Sequence, residues 1–187
     1  MVGCAMSLDI IYTGSVSPEL IDLAKKELME VEGIDATMEV DASLRDHAVR
    51  NTIVRYAPEW HWFNGVLYQF GLEANIKMGW NFQISQRETI QFAEYKTNQH
   101  YNWHMDTFLL SGQATDRKIT VVCVMSDPEE YVGGSLQLQN LKGETIVPEL
   151  KKGDMIAFPS FLLHRVTPVG AGTRYSAAMW LSGPAFR

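Results

Sequence analysis

From Trp80 onward the chain is a succession of short β-rich segments divided by turns, and this pattern restricts the fold more than any other feature. Runs such as TIQFAEY (89–95), KITVVCVM (118–125) and RYSAAMWLS (174–182) have the aromatic and β-branched composition of strands. Turn signals such as Gly133-Gly134 and Lys152-Gly153-Asp154 separate such segments. The other predicted strands are WNFQIS, HYNWHMD, SLQLQN, TIVPEL, DMIAFP and LLHRVTPV. Many short strands in succession predict a double sheet or a barrel.

The part before Trp80 carries helical signals instead. Ser17 followed by Pro18 is typical of a helix start, and the spacing predicts a helix over about 18–31 with Leu20, Leu23, Ala24 and Leu28 on one face. A second helix is predicted over roughly 58–77. Its packing face comprises Trp62, Phe63, Val66, Leu67, Phe70, Ile76 and the small residues Gly71 and Ala74. The expected fold is therefore mainly β with supporting helices.

Length and charge narrow the classes of protein to which the chain can belong. Its 187 residues, 46% of them hydrophobic, fit a single domain over 1–187 with its own core. The net charge of −6 argues against nucleic acid or an anionic membrane as the main partner. Two cysteines, Cys4 and Cys123, suggest no disulfide framework, and the N-terminal segment resembles neither a signal peptide nor a membrane span. A cytoplasmic location is predicted, and the oligomeric state stays open.

The segment QHYNWHMDTF (99–108) concentrates residue types that bind metals. On a strand, His104 and Asp106 project from the same face and can reach one ion. A third ligand could be His47, His61 or His164, and a site built on a rigid sheet favours His164. Two histidines and one carboxylate on one face are typical of non-haem Fe(II) oxygenases. The alternative is that these histidines only make ordinary hydrogen bonds.

A candidate for binding an anionic co-substrate, Arg174, follows ten residues after His164. Arg174 lies beyond a glycine-rich turn, in a strand expected to pair with the strand of His164 and to direct the guanidinium into the same cavity. A guanidinium fork suits the far carboxylate of a dicarboxylate such as 2-oxoglutarate. The alternative is a surface salt bridge between Arg174 and an acidic side chain.

With these residues in place, the chain resembles a known family. Residues 80–182 are similar to the catalytic core of the prolyl 4-hydroxylase-like Fe(II)/2-oxoglutarate dioxygenases, and close to their short bacterial and phage members. The resemblance runs in order through EYKTNQHYNWHMD, DRKITVVCVMS, VGGSLQL and LKKGDMIAFPSFLLHRVTPVGAGTRYSAAMW. It implies a double-stranded β-helix (jelly-roll) core over 80–182, with 1–79 as mainly helical support.

The resemblance also implies roles for individual residues. His104, Asp106 and His164 would bind iron, Arg174 would bind the far carboxylate of 2-oxoglutarate, and Tyr95 would hydrogen-bond this co-substrate. Thr120 would assist, since Val124 stands where some relatives carry a polar partner for the carboxylate. The residue types that line the peptide groove of the family are present at Tyr101, Arg117 and Trp180; the alternative is that these are two core aromatics and a loop charge.

The implied reaction uses Fe(II), 2-oxoglutarate and O2, with ascorbate as a reductant, to hydroxylate a proline in a peptide or protein, as procollagen-proline 4-dioxygenases do. The location would be the cytoplasm, or the host cytoplasm for a phage-encoded chain. Segment 107–116, directly after Asp106, is predicted to form a lid. Two alternatives stay open: an oxygenase acting on a small molecule or on another residue type, and a metal-binding module without catalytic activity.

Overall fold

The computed structural model describes residues 10–36, 38–41, 44–46, 50–107 and 113–186. Its first half contains two helices, α1 (Pro18–Met29) and α2 (Trp62–Lys77). The strands of this half are β1 (Tyr12–Ser15), β2 (Ile34–Ala36), β3 (Met38–Asp41), β4 (Leu44–Asp46) and β5 (Arg50–Tyr56).

The second half is built from strands and one 3-10 turn at Pro128–Glu130. The strands are β6 (Gln86–Arg87), β7 (Gln91–Tyr95), β8 (His100–His104), β9 (Thr115–Val124), β10 (Tyr131–Gly133), β11 (Leu136–Gln139), β12 (Thr145–Ile146), β13 (Asp154–Pro159), β14 (His164–Val166), β15 (Val169–Gly172) and β16 (Arg174–Pro184). The predicted class, mainly β with supporting helices, is confirmed.

One curled antiparallel sheet organises the molecule. Its strands follow the order β1-β13-β9-β16-β7-β5-β8-β14-β11-β12, with β2 added to β5 and β6 added to β16. Strand β5 joins two parts of this sheet, because its C-terminal half pairs with β7 and its N-terminal end pairs with β8. The curl therefore brings β8 and β14 opposite β9 and β16, and a cavity lies between them.

The two faces of the central strands β9 and β16 have different partners. Odd-numbered residues such as Val121, Cys123 and Met179 are buried in the core shared with both helices. Even-numbered residues such as Thr120, Ser176 and Trp180 line the cavity. Because side chains alternate along a strand, one sheet supplies both a core face and a site face. This explains why the predicted strand 118–125 is an almost continuous apolar run.

Helix α2 lies close against the sheet, as its small residues predict. A methyl group at Gly71 would lie 2.9 Å from Leu181 Cδ2 and 3.0 Å from Val121 Cγ2. Ala74 is fully buried in the same core. The helix begins at Trp62 rather than at 58, because the imidazole of His61 caps it by accepting a hydrogen bond from the Phe63 amide. Ile76, expected in the packing face, is 73% exposed.

Helix α1 ends at Met29 and buries a different stripe from the predicted one. Ile21, Ala24 and Leu28 are fully buried, whereas Leu20 and Leu23 are nearly half exposed. A helix turns by about 100° per residue, so side chains one position earlier lie beside the buried stripe. The part of the chain before residue 80 also contributes β1, β2 and β5 to the large sheet. It therefore supplies strands as well as the predicted helical support.

Two predicted strands are absent or shorter among the described residues. Segment 80–85 is not a strand, because the side-chain amide of Asn75 makes two hydrogen bonds of 2.9 Å with the Phe82 backbone and replaces ladder partners. Segment 145–150 is a strand only at Thr145–Ile146. Pro148 follows two residues later and has no N–H to continue the ladder.

Candidate metal centre

Three side chains with metal-binding atoms converge in the cavity. His104 ends β8, His164 begins β14, and the two residues are paired across these strands. Asp106 lies two residues past the end of β8, not within the strand as predicted. Its carboxylate nevertheless reaches both rings, with Oδ1 3.5 Å from His104 Nε2 and Oδ2 3.3 Å from His164 Nε2. The three ligand atoms all lie within 4.8 Å of one another.

The backbone fixes the tautomer of both rings. His104 Nδ1 lies 2.7 Å from the Asn102 carbonyl and His164 Nδ1 lies 2.9 Å from the Leu162 carbonyl. A carbonyl oxygen only accepts, so each Nδ1 carries the hydrogen, and in the neutral ring each Nε2 presents its lone pair to Asp106. Two lone pairs and a carboxylate then face one point, a donor set that suits a divalent cation such as Fe(II).

Asp106 is held in place by two further hydrogen bonds. Its backbone N–H donates to the Ser160 carbonyl at 2.9 Å. The Thr120 hydroxyl donates to Asp106 Oδ2 at 2.7 Å and lies 3.0 Å from the Ser160 hydroxyl. Thr120 was expected near the co-substrate, and it does line the cavity. Its hydroxyl hydrogen, however, goes to Asp106, so the contact that the structure shows is with the ligand carboxylate.

Electrostatics favour an ionised carboxylate at this point. Burial on its own raises the pKa of Asp106, but attraction and hydrogen bonds from His164 and His104 outweigh it and hold the pKa well below its usual range. Burial lowers the pKa of His104. Burial also opposes protonation of His164, yet the facing Asp106 carboxylate more than compensates and raises the pKa of this imidazole.

Aromatic contacts orient both imidazoles. The Tyr101 ring stacks on His104, with centroids 3.4 Å apart and planes 10° apart. The Arg50 guanidinium lies 4.5 Å from the centroid of the Tyr101 ring. Phe158 meets His164 edge-on at 4.9 Å. Tyr101, predicted to line a peptide groove, therefore also packs against a candidate metal ligand, and burial raises its pKa to about 12.

Arg174 lies at the other end of the same cavity. Its strand pairs with β7, where Arg174 is opposite Tyr95, and with β9. The expected pairing with the His164 strand is wrong, because β14 pairs with β8 and β11. The curl of the sheet still brings the guanidinium into the cavity, where it is 2% exposed and donates to Ser176 Oγ at 3.0 Å. Tyr95 is buried beside it, with 5.5 Å between its ring centroid and Arg174 Cζ.

Trp180 and Arg117, which were predicted to line a peptide groove, lie where the cavity meets the surface. Trp180 lines the cavity, and the Arg117 guanidinium stacks on its ring at 3.9 Å. Two nitrogens of that guanidinium donate to the Glu88 carboxylate, with Nε 2.6 Å from Oε1 and Nη2 2.5 Å from Oε2. The Trp180 indole N–H is buried and has no hydrogen-bond partner among the described residues.

Residues 90–182, which contain all of these ligand and anion-binding candidates, match the 2OG-Fe(II) oxygenase superfamily. The chain carries a 2OG-Fe(II) oxygenase domain. A PKHD-type hydroxylase of Rippkaea orientalis is 28% identical over 136 residues, which cover 71% of this chain and 60% of that protein. The chain spans about half the length of the curated relatives it matches, between 42% and 60% for the Crocosphaera subtropica and Rippkaea orientalis proteins.

Solved structures share the fold of this oxygenase domain. A prolyl-4-hydroxylase of Pseudomonas putida is similar over 95% of this chain and 94% of its own, with a TM-score of 0.73 and 17% identity. A Trichoplax adhaerens prolyl hydroxylase, in complex with a hypoxia inducible factor peptide fragment, has a TM-score of 0.72 and 16% identity, covering 92% of this chain and 83% of its own. The resemblance of the sequence to the Fe(II)/2-oxoglutarate dioxygenases is confirmed by the family match, and these structures share the fold.

The oxygenase family implies Fe(II), 2-oxoglutarate and O2 as the reaction partners of this domain. The chemistry of its donor set agrees with that implication, since His104, Asp106 and His164 present lone pairs and a carboxylate toward one point. Among the described residues, no helix is long and apolar enough to cross a membrane.

Several residues around the oxygenase site were not predicted from the sequence. They are Arg50 and Gln91, which are hydrogen-bonded to each other, Glu88 on Arg117, Ser160 beside Thr120, and Ser176 on Arg174. Ser176 could have been found, because it lies two residues after Arg174 on a strand and so shares its face. Nothing in the local sequence marks Glu88, whose role depends on the pairing of β6 with β16.

Other predicted features lie elsewhere. His61 caps α2 and does not join the metal-binding group, and His100 is not part of that group either. His47, the remaining candidate ligand, lies outside the described residues. Half of the predicted lid (107–116) also lies outside them, since 108–112 are not described, and its status as a lid stays a prediction.

Proposed function

We propose that this chain is an Fe(II)- and 2-oxoglutarate-dependent dioxygenase that hydroxylates a prolyl residue of a peptide or protein. The observation that carries the proposal is one cavity with two kinds of binding group. The metal-binding atoms of His104, Asp106 and His164 lie at one end, and the buried Arg174 guanidinium lies at the other. A metal and a dicarboxylate can therefore be held together.

Iron would be held by His104, Asp106 and His164. When bound, it supplies the chemistry that couples oxidative decarboxylation of 2-oxoglutarate to insertion of oxygen into a C–H bond. One O2 provides one oxygen atom to succinate and one to the hydroxylated product, and CO2 is released. The protein holds the ligand rings by backbone carbonyls and the carboxylate by Thr120, so that the donor set is preorganised.

Arg174 would bind the far carboxylate of 2-oxoglutarate. Ser176 orients the guanidinium by accepting from Nη1, and a charge-assisted pair in so buried a position is strong. Tyr95 is proposed to hydrogen-bond the same co-substrate, since it is buried next to Arg174 in the cavity. Thr120 acts mainly through Asp106. Ascorbate is proposed as the reductant, and no residue is assigned to bind it.

The peptide would lie over Trp180 and Arg117. A proline ring is apolar and has no N–H that needs a partner, so it suits an aromatic wall. The indole N–H of Trp180, which has no hydrogen-bond partner in the described part of the chain, and the guanidinium of Arg117 are donors for peptide carbonyls. Tyr101 contributes its edge, because His104 already stacks on one face. The prolyl hydroxylase names of the structural neighbours support the same substrate class.

The extent and location of the enzyme belong to the same proposal. We infer that 1–187 act as one domain, with 1–79 supporting the core of 80–182, because β1, β2 and β5 are strands of the same large sheet as the site. We infer a cytoplasmic enzyme, or one of the host cytoplasm for a phage-encoded chain, that needs neither nucleic acid nor a membrane as a partner.

Succinate formation tests the enzyme class. Protein supplied with Fe(II), ascorbate, 2-oxoglutarate and a proline-rich peptide should release succinate, and the peptide should increase the rate.

Arg174→Ala should raise the 2-oxoglutarate concentration needed for turnover by about 30-fold or more, because truncating one partner of a buried charge pair typically costs roughly 2–5 kcal/mol. It should change the iron requirement much less. Succinate release dependent on a small metabolite but on no peptide would support the small-molecule alternative. Metal binding without succinate would support a non-catalytic module.

A further inference from the structure

Arg174 separates two cavities. The metal-binding cavity lies on one side, and on the other lies a larger cavity of about 590 Å³, open between β10, β11 and the segment before β13. Of the residues that the structure describes, only Arg174 and Leu136 line both. Arg174 therefore forms part of the wall between the two cavities, a partition with free space on the side away from the metal-binding residues. Because free space does not restrain a side chain, particular contacts must hold Arg174 in position.

Gly134 lies behind this partition, in the larger cavity. Its φ is +60°, and an added Cβ would lie 3.0 Å from Arg174 Cδ and 3.0 Å from Val169 Cγ2. Both distances are tighter than ordinary van der Waals contact. The Gly134 backbone is also tied down, because its N–H donates to the Pro168 carbonyl at 3.1 Å. The aliphatic stem of Arg174 therefore lies directly against a fixed backbone.

The guanidinium end has its own restraint, the hydrogen bond of 3.0 Å from Nη1 to Ser176 Oγ. A side chain held at its tip by Ser176 and supported along its stem by Gly134 has a defined distance from the metal ligands. In a pocket with the metal at one end, that distance is the length available to a bound dicarboxylate.

We propose that Gly134 sets the depth of the 2-oxo acid pocket and so selects the chain length of the dicarboxylate that this protein accepts. The inference rests on the proposed function, in which Arg174 binds the far carboxylate. Any side chain at position 134 would push Cδ of Arg174 toward the metal, because the crowding comes from the rear cavity. The pocket would become shorter, and 2-oxoglutarate would lose affinity relative to its homologue with one methylene fewer, oxaloacetate.

The test is calorimetric titration of the Mn(II)-loaded full chain, without turnover, with 2-oxoglutarate, oxaloacetate and 2-oxoadipate. Gly134→Ala should weaken 2-oxoglutarate binding about tenfold, as an overpacked methyl group does when it displaces a buried side chain. Oxaloacetate binding should change by less than about threefold. Mn(II) affinity should stay unchanged, since the metal ligands are not touched.

Two other glycines provide matched controls. Gly143 and Gly79 have φ values of +80° and +67°, and an added Cβ would meet nothing within 4 Å at either position. Gly143→Ala and Gly79→Ala therefore carry the same kind of backbone strain without the contact to Arg174. Both should bind all three acids as the unaltered protein does. In Gly134→Ala/Val169→Ala the new methyl group gains room away from Arg174, and 2-oxoglutarate affinity should partly recover.

The unaltered protein provides a test that needs no variant. With a fixed wall behind Arg174, it should bind 2-oxoadipate, one methylene longer, at least about tenfold more weakly than 2-oxoglutarate. Equal affinity for these two acids would overturn the inference. So would Gly134→Ala losing both shorter acids equally, or Gly143→Ala showing the same loss. If the unaltered protein bound no 2-oxo acid at all, the proposed function would be at fault instead.

Discussion

At the scale of single residues, the site depends on hydrogen bonds that fix atoms rather than on residue types alone. His104 and His164 point their Nε2 atoms inward because backbone carbonyls take both Nδ1 hydrogens. Asp106 is ionised and fixed because Thr120 and the two imidazoles surround it. Residue types and spacing favoured His104, Asp106 and His164, and the resemblance to the oxygenase family selected this set, whose side chains the structure brings together. Neither could predict which atoms restrain these side chains, since the restraints come from carbonyls and from strands distant in sequence.

His164→Ala tests the ligand assignment at this scale. The variant should lose tight binding of Mn(II) or Fe(II) and all turnover, because two ligands on neighbouring positions hold an ion poorly. His100→Ala is the matched control, since His100 is on the same sheet but outside the metal-binding group. Metal titration with a far-UV circular dichroism spectrum of each variant separates ligand loss from unfolding. Retained metal binding in His164→Ala would remove His164 from the site.

At the scale of elements, the sequence predicted strands well where both faces of the strand are buried. It predicted them poorly where a side chain makes the hydrogen bonds that a neighbouring strand would otherwise make. The apolar runs of β9, β13 and β16 were recognised because they are buried on both faces. Segment 80–85 was misassigned because Asn75 supplies the hydrogen bonds that a strand would have made. The pairing of β16 was also misassigned, since residues near in sequence were expected to pair and the curl instead places β7 and β9 beside it.

The Glu88–Arg117–Trp180 stack joins β9 and β16 to the segment before β7, and it offers a prediction for this scale. Glu88→Gln should release the Arg117 guanidinium from its bidentate partner and raise the KM for peptide about fivefold, the effect of roughly 1 kcal/mol for an accessible pair. The KM for 2-oxoglutarate should not change.

Glu59→Gln is the control for that variant. Glu59 also pairs with an arginine, Arg87, at 3.5 Å, but its side chain is 78% exposed and it does not line the metal-binding cavity. Its peptide KM should stay at the value of the unaltered protein. If Glu88→Gln and Glu59→Gln behaved alike, the stack would have no part in peptide binding.

At the scale of the whole molecule, metal binding should stabilise the fold, because the ligands come from two strands of the sheet. An ion present at about 100 times its Kd adds about 2.7 kcal/mol to the free energy of unfolding. This gain should depend on pH. The pKa of His164 is raised above its usual value near 6.5, so its imidazole takes up a proton as pH falls through that raised value and competes with the metal.

Thermal unfolding with and without Mn(II) checks this dependence. The increase in Tm should be larger at about pH 8 than at about pH 6, because a proton on His164 competes with the metal and this competition grows as the pH falls. His104 should contribute less to the difference than His164, because burial lowers its pKa. An increase in Tm of the same size at both pH values would contradict the described coupling between His164 and Asp106.

Mass spectrometry of a proline-containing peptide after incubation with Fe(II), 2-oxoglutarate, ascorbate and O2 identifies the product of the reaction. The peptide should become heavier by one oxygen atom, with fragmentation that places this atom on a proline. Trp180→Ala and Arg117→Ala should reduce this product while 2-oxoglutarate binding is retained. Oxygen on a residue other than proline, or succinate formed without modification of any peptide while a small metabolite is oxidised, would contradict the prolyl assignment.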